Sequence, residues 1–243
     1  MRAFFGLFLG LVLVSLNVCC LPSFNVGNNE TAKAPPPNDV TKDILNATVM
    51  VHHADPLGQE EPKLRCTGVL YWNYVLTAAH CVRHATDKQT NVPIRLYYDY
   101  IHSNKTYIPT VVGYYNEKTD FAILFPTGVL KSPHKSVKLA PKVPKIGGKV
   151  VLIGHPAGIS YTITVGIVST PERIIHGVKH LHASVLMTAG NSGGPLFNKY
   201  GELIGIASFL SLSSRGSEDH ISMFIHLDTI KEVLENDSNH SSS

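Results

Sequence analysis

The sequence predicts an all-β protein that ends in one short helix. After residue 46 the chain consists mainly of short apolar runs separated by turn residues, a pattern typical of many-stranded β-proteins. Residues 92–98 and 161–165 alternate between apolar and other side chains, as expected for strands with one buried face. Residues 121–125 and 150–153 are continuously apolar and indicate more deeply buried strands. With 243 residues, 44% of them hydrophobic, the chain is long enough to bury a sizeable core.

The first twenty residues have the features of a secretory signal peptide. Arg2 supplies a positive charge, residues 3–18 are apolar and uncharged, and small residues near position 20 offer a cleavage point. The apolar run is shorter than the ~20 residues that a membrane-spanning helix requires, although an uncleaved anchor is the alternative. We therefore expect removal of residues 1–20 and a secreted, extracellular protein without membrane contact.

The rest of the chain consists of segments that differ in amino-acid composition. Residues 21–42 are rich in Asn, Pro and Thr and contain too few apolar side chains to pack, so we expect a flexible extension. Residues 43–235 form the predicted folded domain. A segment rich in Pro, Lys and Gly, residues 141–148, is the expected linker between its two halves, which span about 44–140 and 148–227.

A single amphipathic helix is predicted near the end. Asp228 is the expected N-cap, and residues 229–234 place Ile230, Val233 and Leu234 on one face. Residues 236–243 are expected to form a polar tail.

The net charge of +3 arises from scattered positive residues. Nucleic-acid-binding proteins concentrate basic residues on one face, and no such concentration is visible. We therefore expect protein or peptide partners and no nucleic acid.

Residues 190–195 read Gly-Asn-Ser-Gly-Gly-Pro and present one serine hydroxyl in a tight turn. The glycines on both sides of Ser192 permit an unusual backbone path and leave N–H groups unobstructed. Pro195 fixes the chain as it leaves the turn. Because a serine hydroxyl alone is a weak nucleophile, the motif predicts a histidine base and a carboxylate elsewhere.

Two upstream segments supply these groups. Residues 77–81 read Thr-Ala-Ala-His-Cys and contain His80, and residues 119–124 read Thr-Asp-Phe-Ala-Ile-Leu and contain Asp120. Each residue alone would more often be structural, since His80 is one of thirteen histidines. Their joint occurrence with Ser192 reverses that expectation. The order His, Asp, Ser along the chain is that of chymotrypsin and differs from that of subtilisin or the α/β-hydrolases.

These three segments resemble the trypsin/chymotrypsin clan of serine peptidases. Residues 151–158 followed by 164–169, and residues 194–198 followed by 201–206, are similar to HtrA-type peptidase domains. V8-type enzymes are the other similar group. The resemblance extends over about residues 44–227. It implies two antiparallel six-stranded β-barrels of chymotrypsin type with a short C-terminal helix. The sequence ends soon after that helix, so we expect no PDZ domain.

The resemblance also implies a role for each site residue. His80 is the general base and acid, Asp120 orients it, and Ser192 is the nucleophile of a secreted serine endopeptidase. The backbone N–H groups of Gly190 and Ser192 form the oxyanion hole, and Ser208 hydrogen-bonds Asp120. No metal and no cofactor are expected.

Three departures from trypsin are informative. Asn191 stands where trypsin-type zymogens carry the aspartate that pairs with a newly cut N-terminus, so we expect activity without that activation step. Leu186 replaces the aspartate that selects Arg and Lys. Leu210 stands where a pocket glycine is usual. Leu186, Ser208 and Leu210 therefore predict a shallow apolar pocket without Arg/Lys specificity.

Removal of the signal peptide would leave Cys66 and Cys81 as the only cysteines. In trypsin-like enzymes a disulfide joins these two positions, which here would be worth roughly 3 kcal/mol. Two free buried thiols are the alternative. Five Asn-x-Ser/Thr sequons also fit secretion and are glycosylation candidates: Asn29, Asn46, Asn104, Asn236 and Asn239.

Two other functions can be compared with the peptidase. A non-catalytic homologue that binds proteins would keep the fold and lose turnover. Such a protein would have no reason to retain all of the predicted catalytic residues together. A lipase or esterase disagrees with the order of the motifs. The extension has no clear apolar anchor for subunit assembly, so we expect a monomer.

Overall fold

The computed structural model describes residues 39–53, 65–86, 94–98, 106–128, 136–159, 161–209 and 221–240. Several predictions fall outside this part of the chain. They are the signal peptide, most of the 21–42 extension, the sequons at Asn29 and Asn104, and the pocket residue Leu210.

The first six strands form one ring. They are β1 (Thr48–His53), β2 (Arg65–Tyr71), β3 (Tyr74–Ala78), β4 (Ile94–Tyr98), β5 (Thr106–Asn116) and β6 (Phe121–Pro126). Antiparallel pairing runs β1-β2-β3-β6-β5-β4, and β4 pairs back onto β1, so the cycle is closed. The run that predicted a buried strand, residues 121–125, provides β6, whose first four residues are buried.

The last six strands form a second ring. They are β7 (Lys149–Gly154), β8 (Thr162–Ile175), β9 (Val178–Ala183), β10 (Pro195–Asn198), β11 (Leu203–Phe209) and β12 (Ser222–His226). Pairing runs β10-β11-β12-β9-β8-β7, and β7 pairs with β10. The prediction of an all-β protein is confirmed.

Helices are few and lie outside the rings. They are α1 (Asp39–Asn46), α2 (Arg83–Thr86) and α3 (Leu227–His240), with 3₁₀ segments at Ala79–Cys81 and Pro156–Gly158. No helix in the described ranges is long and apolar enough to span a membrane.

Helix α1 corrects one sequence-based expectation. Residues 39–42 were expected to belong to the flexible extension, whereas they form the first half of α1. Ile44, in the second half, is buried in the same apolar cluster as the interior of the first ring. This packing stabilises a helix that is too short to form alone in water.

Helix α3 is capped by a residue that the sequence did not indicate. The helix begins at Leu227, and Nδ1 of His226 accepts the backbone N–H of Asp228 at 3.1 Å. The Asp228 carboxylate lies instead 3.1 Å from Nζ of Lys179. The predicted cap at Asp228 is therefore wrong. The helix also continues to His240, so residues 236–240 are helical rather than part of a tail.

The two rings share a packed interface. Leu152, Leu181 and Phe224 are buried in the cluster of the second ring. Ile153 and Phe197, also from the second ring, are fully buried in the cluster that fills the first. Alternation along a strand sends neighbouring side chains to opposite faces, so β7 contributes to both clusters. Residues at the ring junction are thereby fixed relative to both rings.

Strand β8 alternates as predicted, but its apolar row is exposed. Ile163, Val165 and Ile167 are 43%, 69% and 43% exposed. Ile163 pairs with Ile153, whose side chain packs against the first ring. The first ring covers β7 and does not cover β8, one strand further away, which explains the exposed row.

Three histidines are buried in or beside the second ring: His155, His180 and His226. Burial lowers the pKa of each below the usual 6.5, because the charged ring loses its hydration. For His155, burial and the nearby His52 lower the pKa to about 3. The folded protein therefore holds His155 as a neutral ring.

This burial predicts a loss of stability in acid. As pH falls below 6.5, His155 takes up a proton in the unfolded chain but not in the folded one until about pH 3, so the free energy of unfolding decreases. Between pH 7 and pH 5 this amounts to about 2 kcal/mol. His155→Asn keeps a side-chain N–H donor and cannot titrate. Urea unfolding should therefore show a smaller decrease in the free energy of unfolding for this variant than for the wild type, by about the amount given above.

His176→Asn is the matched control, since His176 is exposed in the turn between β8 and β9. Between pH 7 and pH 5, the free energy of unfolding of this variant should decrease as much as that of the wild type. An equal loss in His155→Asn would contradict the account.

Candidate active site

Asp120 ends the turn between β5 and β6 in a backbone conformation that is rare for residues other than glycine. Its φ is +53°, and its N–H donates to the Glu117 carbonyl at 3.3 Å. Asn116 stabilises the same turn, because its Oδ1 accepts the N–H groups of Lys118 and Thr119. Aspartate tolerates the left-handed region better than most residues. The turn thus directs a carboxylate towards the segment after β3.

Asp120 holds the histidine segment by its backbone and by its side chain. Its carbonyl accepts the N–H of Ala79 at 2.8 Å, and its Oδ1 accepts the N–H of His80 at 2.9 Å. Nδ1 of His80 lies 3.0 Å and 2.9 Å from the two carboxylate oxygens. A carboxylate only accepts hydrogen bonds, so Nδ1 carries the ring proton. Nε2 of the neutral ring is then unprotonated and can act as a base.

The second ring contributes to the same carboxylate. Ser208 on β11 is fully buried, and its hydroxyl donates to Oδ2 of Asp120 at 2.6 Å. This contact was expected from the resemblance. The assignment of Ser208 to a substrate pocket stays a prediction, and its side chain is buried against Asp120.

Burial raises the pKa of Asp120, but the hydrogen bond and charge of His80 and the hydrogen bond of Ser208 more than offset this effect. The pKa is therefore held below the usual 3.8. The carboxylate is ionised at neutral pH and can stabilise a positive charge on His80.

Ser192 lies beside the histidine segment. Its carbonyl accepts the N–H of Thr67 at 2.8 Å and lies 3.6 Å from Sγ of Cys81, the residue after His80. Gly193, with φ of +79°, has room for no Cβ, which would overlap the Thr67 carbonyl and the Thr77 hydroxyl. Close approach of the two rings at Gly193 thus brings the Ser192 turn against the first ring.

The peptide before Gly190 has a fixed orientation. The Ala189 carbonyl accepts the N–H of Ala157 at 2.9 Å. In a planar trans peptide the N–H of Gly190 must point in the opposite direction. Among the described residues, no backbone carbonyl accepts the N–H of Gly190 or of Ser192.

Asn191 is buried beside β7. It is 3% exposed, and a Cβ on Gly154 would overlap its side-chain oxygen. Its N–H donates to the Thr188 carbonyl at 3.0 Å. The neutral amide thus occupies an enclosed position inside the structure.

Cys66 and Cys81 are joined in the structure, with sulfurs 2.13 Å apart and Cα atoms 6.0 Å apart. Cys66 lies on β2 and Cys81 ends the 3₁₀ segment that contains His80. The link ties the histidine segment to the strand that contacts Ser192.

Within the part of the chain that the structure describes, two groups of side chains have ligand atoms close enough to one another for a metal ion. One is Cys66, His80 and Cys81, whose two cysteines are bonded to each other. The other is Glu172, His226 and Asp228. There, Nζ of Lys179 lies 3.1 Å from each carboxylate and forms an ion pair with both. Both groups thus have a bonding partner other than a metal.

The remaining predicted site residues lie further out. Leu186 is 72% exposed on the segment between β9 and β10, and its carbonyl accepts the Thr164 hydroxyl at 3.3 Å. Of the described sequons, Asn236 is exposed and Asn239 lies in α3. Asn46 is only 6% exposed, so the folded protein does not present its amide for a glycan, and this candidate is wrong.

One buried polar residue at the site was missed from the sequence. Thr67 on β2 contacts the Ser192 turn through both its N–H and its hydroxyl. It follows Cys66 in the chain, but a lone threonine in a strand carries no signal that distinguishes it from other strand threonines.

Comparison with known proteins identifies the family and the fold. The profile of the trypsin-like peptidase domain matches residues 66–206, more than half of the chain. A relative from Hahella chejuensis, called a probable periplasmic serine endoprotease DegP-like, is 41% identical over 37% of this chain and 20% of its own length. One of the same name from Marinomonas sp. is 34% identical over 59% and 29%. The chain thus matches less than a third of the length of these relatives.

A solved structure shares the fold. The crystal structure of the serine endoprotease from Yersinia pestis aligns with a TM-score of 0.63 at 23% identity, over 83% of this chain and 66% of that one. The chain belongs to the family of trypsin-like peptidase domains.

Proposed function

We propose that this protein is a secreted serine endopeptidase that works through an acyl-enzyme on Ser192. The observation that carries the proposal is the half-buried carboxylate of Asp120, which receives hydrogen bonds from His80 and Ser208. This arrangement fixes the tautomer of His80 with Nε2 as its basic atom. A histidine with a purely structural role would not need a hydrogen-bonded carboxylate at Nδ1 and a glycine-flanked serine in the same protein.

The chemistry divides among these groups in the usual way for such a triad. Nε2 of His80 takes the Ser192 proton while the serine oxygen attacks a peptide carbonyl carbon. The same proton passes to the leaving amine as the C–N bond breaks, and water then hydrolyses the ester on Ser192. Asp120 stabilises the charged His80 between these steps.

The amides of Gly190 and Ser192 are the proposed oxyanion hole. The orientation of the 189–190 peptide supports this, because it turns the Gly190 N–H away from Ala157. Loss of one such donor typically costs about 2.7–4 kcal/mol in the transition state. We infer that the two six-stranded rings act as barrels of chymotrypsin type, with Ser192 contributed by the second and His80 and Asp120 by the first.

Secretion is supported by the predicted signal peptide, the sequons that remain candidates, and the pairing of Cys66 with Cys81. Disulfides persist in oxidising compartments. Asn191 supports activity without N-terminal processing, because a buried neutral amide offers no charge for a new N-terminus.

The test is hydrolysis by the mature chain, residues 21–243, with its extension shown to be uncut. It should cleave casein and internally quenched peptides that are blocked at both ends. Ser192→Ala should lower kcat by at least about 10³-fold. Ser136→Ala is the matched control. Ser136 is exposed, and its hydroxyl accepts the Trp72 N–H outside the proposed site. The activity of this variant should equal that of the wild type.

A silent homologue that only binds proteins would give a different result. The wild type would then bind the quenched peptide, as measured by fluorescence anisotropy, and release no product. That outcome would contradict the proposed function.

Leu186 gives the proposed substrate preference. A trypsin-type pocket needs a carboxylate at this position for Arg or Lys, and an exposed leucine offers only apolar contact. We therefore expect cleavage after small or medium aliphatic residues in a peptide library. Leu186→Asp should raise kcat/KM for Arg substrates relative to Ala substrates by at least about tenfold, through a new charge pair.

Val165→Asp adds the same charge on an exposed residue of β8 and should leave the preference unchanged. A wild-type cleavage profile dominated by Arg, Lys or Glu would refute the assignment of Leu186 to the pocket.

A further inference from the structure

Thr67 links the first ring to both residues whose amides are the proposed oxyanion donors. Its N–H donates to the Ser192 carbonyl at 2.8 Å, and its hydroxyl donates to the Gly190 carbonyl at 2.7 Å. Thr67 is fully buried on β2. Hydrogen bonds shielded from water in this way fix the groups that they join more firmly than exposed ones do.

The Thr67 hydroxyl has no hydrogen-bonding capacity left. A threonine hydroxyl offers one donor and two acceptor positions, and its donor is engaged by Gly190. The N–H of His155 donates to the oxygen at 3.1 Å, and Nδ1 of His155 lies 3.2 Å from it. Because the hydroxyl proton is already engaged, Nδ1 must carry a proton and donate. The buried ring of His155 thus orients the hydroxyl towards Gly190.

Gly190 is a residue of the turn that needs such support. Its φ is +100°, and a Cβ there would overlap the His155 carbonyl, so no side chain can restrict its backbone. Glycine can rotate freely between two peptide planes. The plane before it is held through the bond from Ala157 to the Ala189 carbonyl, and the plane after it through the Thr67 hydroxyl at its carbonyl and through the Asn191 N–H, which donates to the Thr188 carbonyl.

We propose that Thr67 is a positioning residue of the oxyanion hole, acting on the Gly190 amide through the Gly190 carbonyl. Loss of the hydroxyl leaves the 190–191 peptide held only through the Asn191 N–H, so Gly190, and with it the N–H on the preceding peptide plane, is held less tightly. The inference rests on the proposed peptidase function. It predicts an effect on the transition state and little effect on substrate binding, because the oxyanion forms only during attack.

The test is Thr67→Val, which keeps the shape and removes the hydroxyl. With a quenched peptide, kcat should fall at least about tenfold while KM stays within about twofold. Inactivation by a peptide phosphonate should slow to a similar extent. Thr67→Ser restores the donor and should recover most of the lost kcat. Should Thr67→Val fail to fold, Thr67→Ala removes the same hydroxyl with less crowding at the carbonyl.

Thr48→Val is the matched control. Thr48 is also fully buried on a strand of the first ring, and its hydroxyl donates to the Ile44 carbonyl at 2.8 Å, away from the site. It should lose a similar amount of stability in urea unfolding and keep its kcat. Equal kcat values in the Thr67→Val and Thr48→Val variants, or no recovery in Thr67→Ser, would overturn the positioning role.

The wild-type protein separates the two possible failures. If it hydrolyses the peptide and Ser192→Ala does not, the proposed function stands, and the Thr67 variants alone decide this inference. If the wild type has no activity that depends on Ser192, the proposed function fails and this inference fails with it.

Discussion

The half-buried carboxylate of Asp120 is the interaction on which the rest of the structure depends. It receives hydrogen bonds from the backbone and ring of His80, which follows β3, and from Ser208 on β11. These partners come from the two different rings, so the carboxylate joins the rings as well as orienting the base. A buried charge is tolerated only when it is paired and hydrogen-bonded in this way. The rare backbone conformation of Asp120 is consistent with strain concentrated at a functional site.

A second set of contacts joins the rings at the serine turn. Thr67 reaches across from β2 to the carbonyls of Gly190 and Ser192, and Gly193 packs against Thr67 with no room for a side chain. Asp120 and Thr67 therefore have complementary tasks. The first fixes the base, and the second fixes the turn that carries the nucleophile. Because both act across the ring junction, the packed interface that contains Phe197 is part of the site's architecture.

The sequence predicted well what is encoded by local pattern or by contiguous motifs. The apolar run 121–125 marked β6, and two of the motifs marked Asp120 and His80, which are hydrogen-bonded to each other. It failed where tertiary contacts decide. Helix α1 depends on packing that no short polar segment reveals, and α3 begins before Asp228, whose N–H donates to Nδ1 of His226. The apolar residues of β8 are exposed because the first ring covers β7 and not β8. Thr67 acquires its hydrogen-bond partners only when the two rings meet.

The central claim is that Ser192 is the nucleophile activated by this arrangement. The most direct measurement is intact-mass analysis and peptide mapping of the mature protein after reaction with an aliphatic peptide phosphonate. The account predicts a single adduct on the peptide that contains Ser192, absent in Ser192→Ala and formed more slowly in Asp120→Asn. No adduct on the folded wild type, or an adduct that persists in Ser192→Ala, would contradict it.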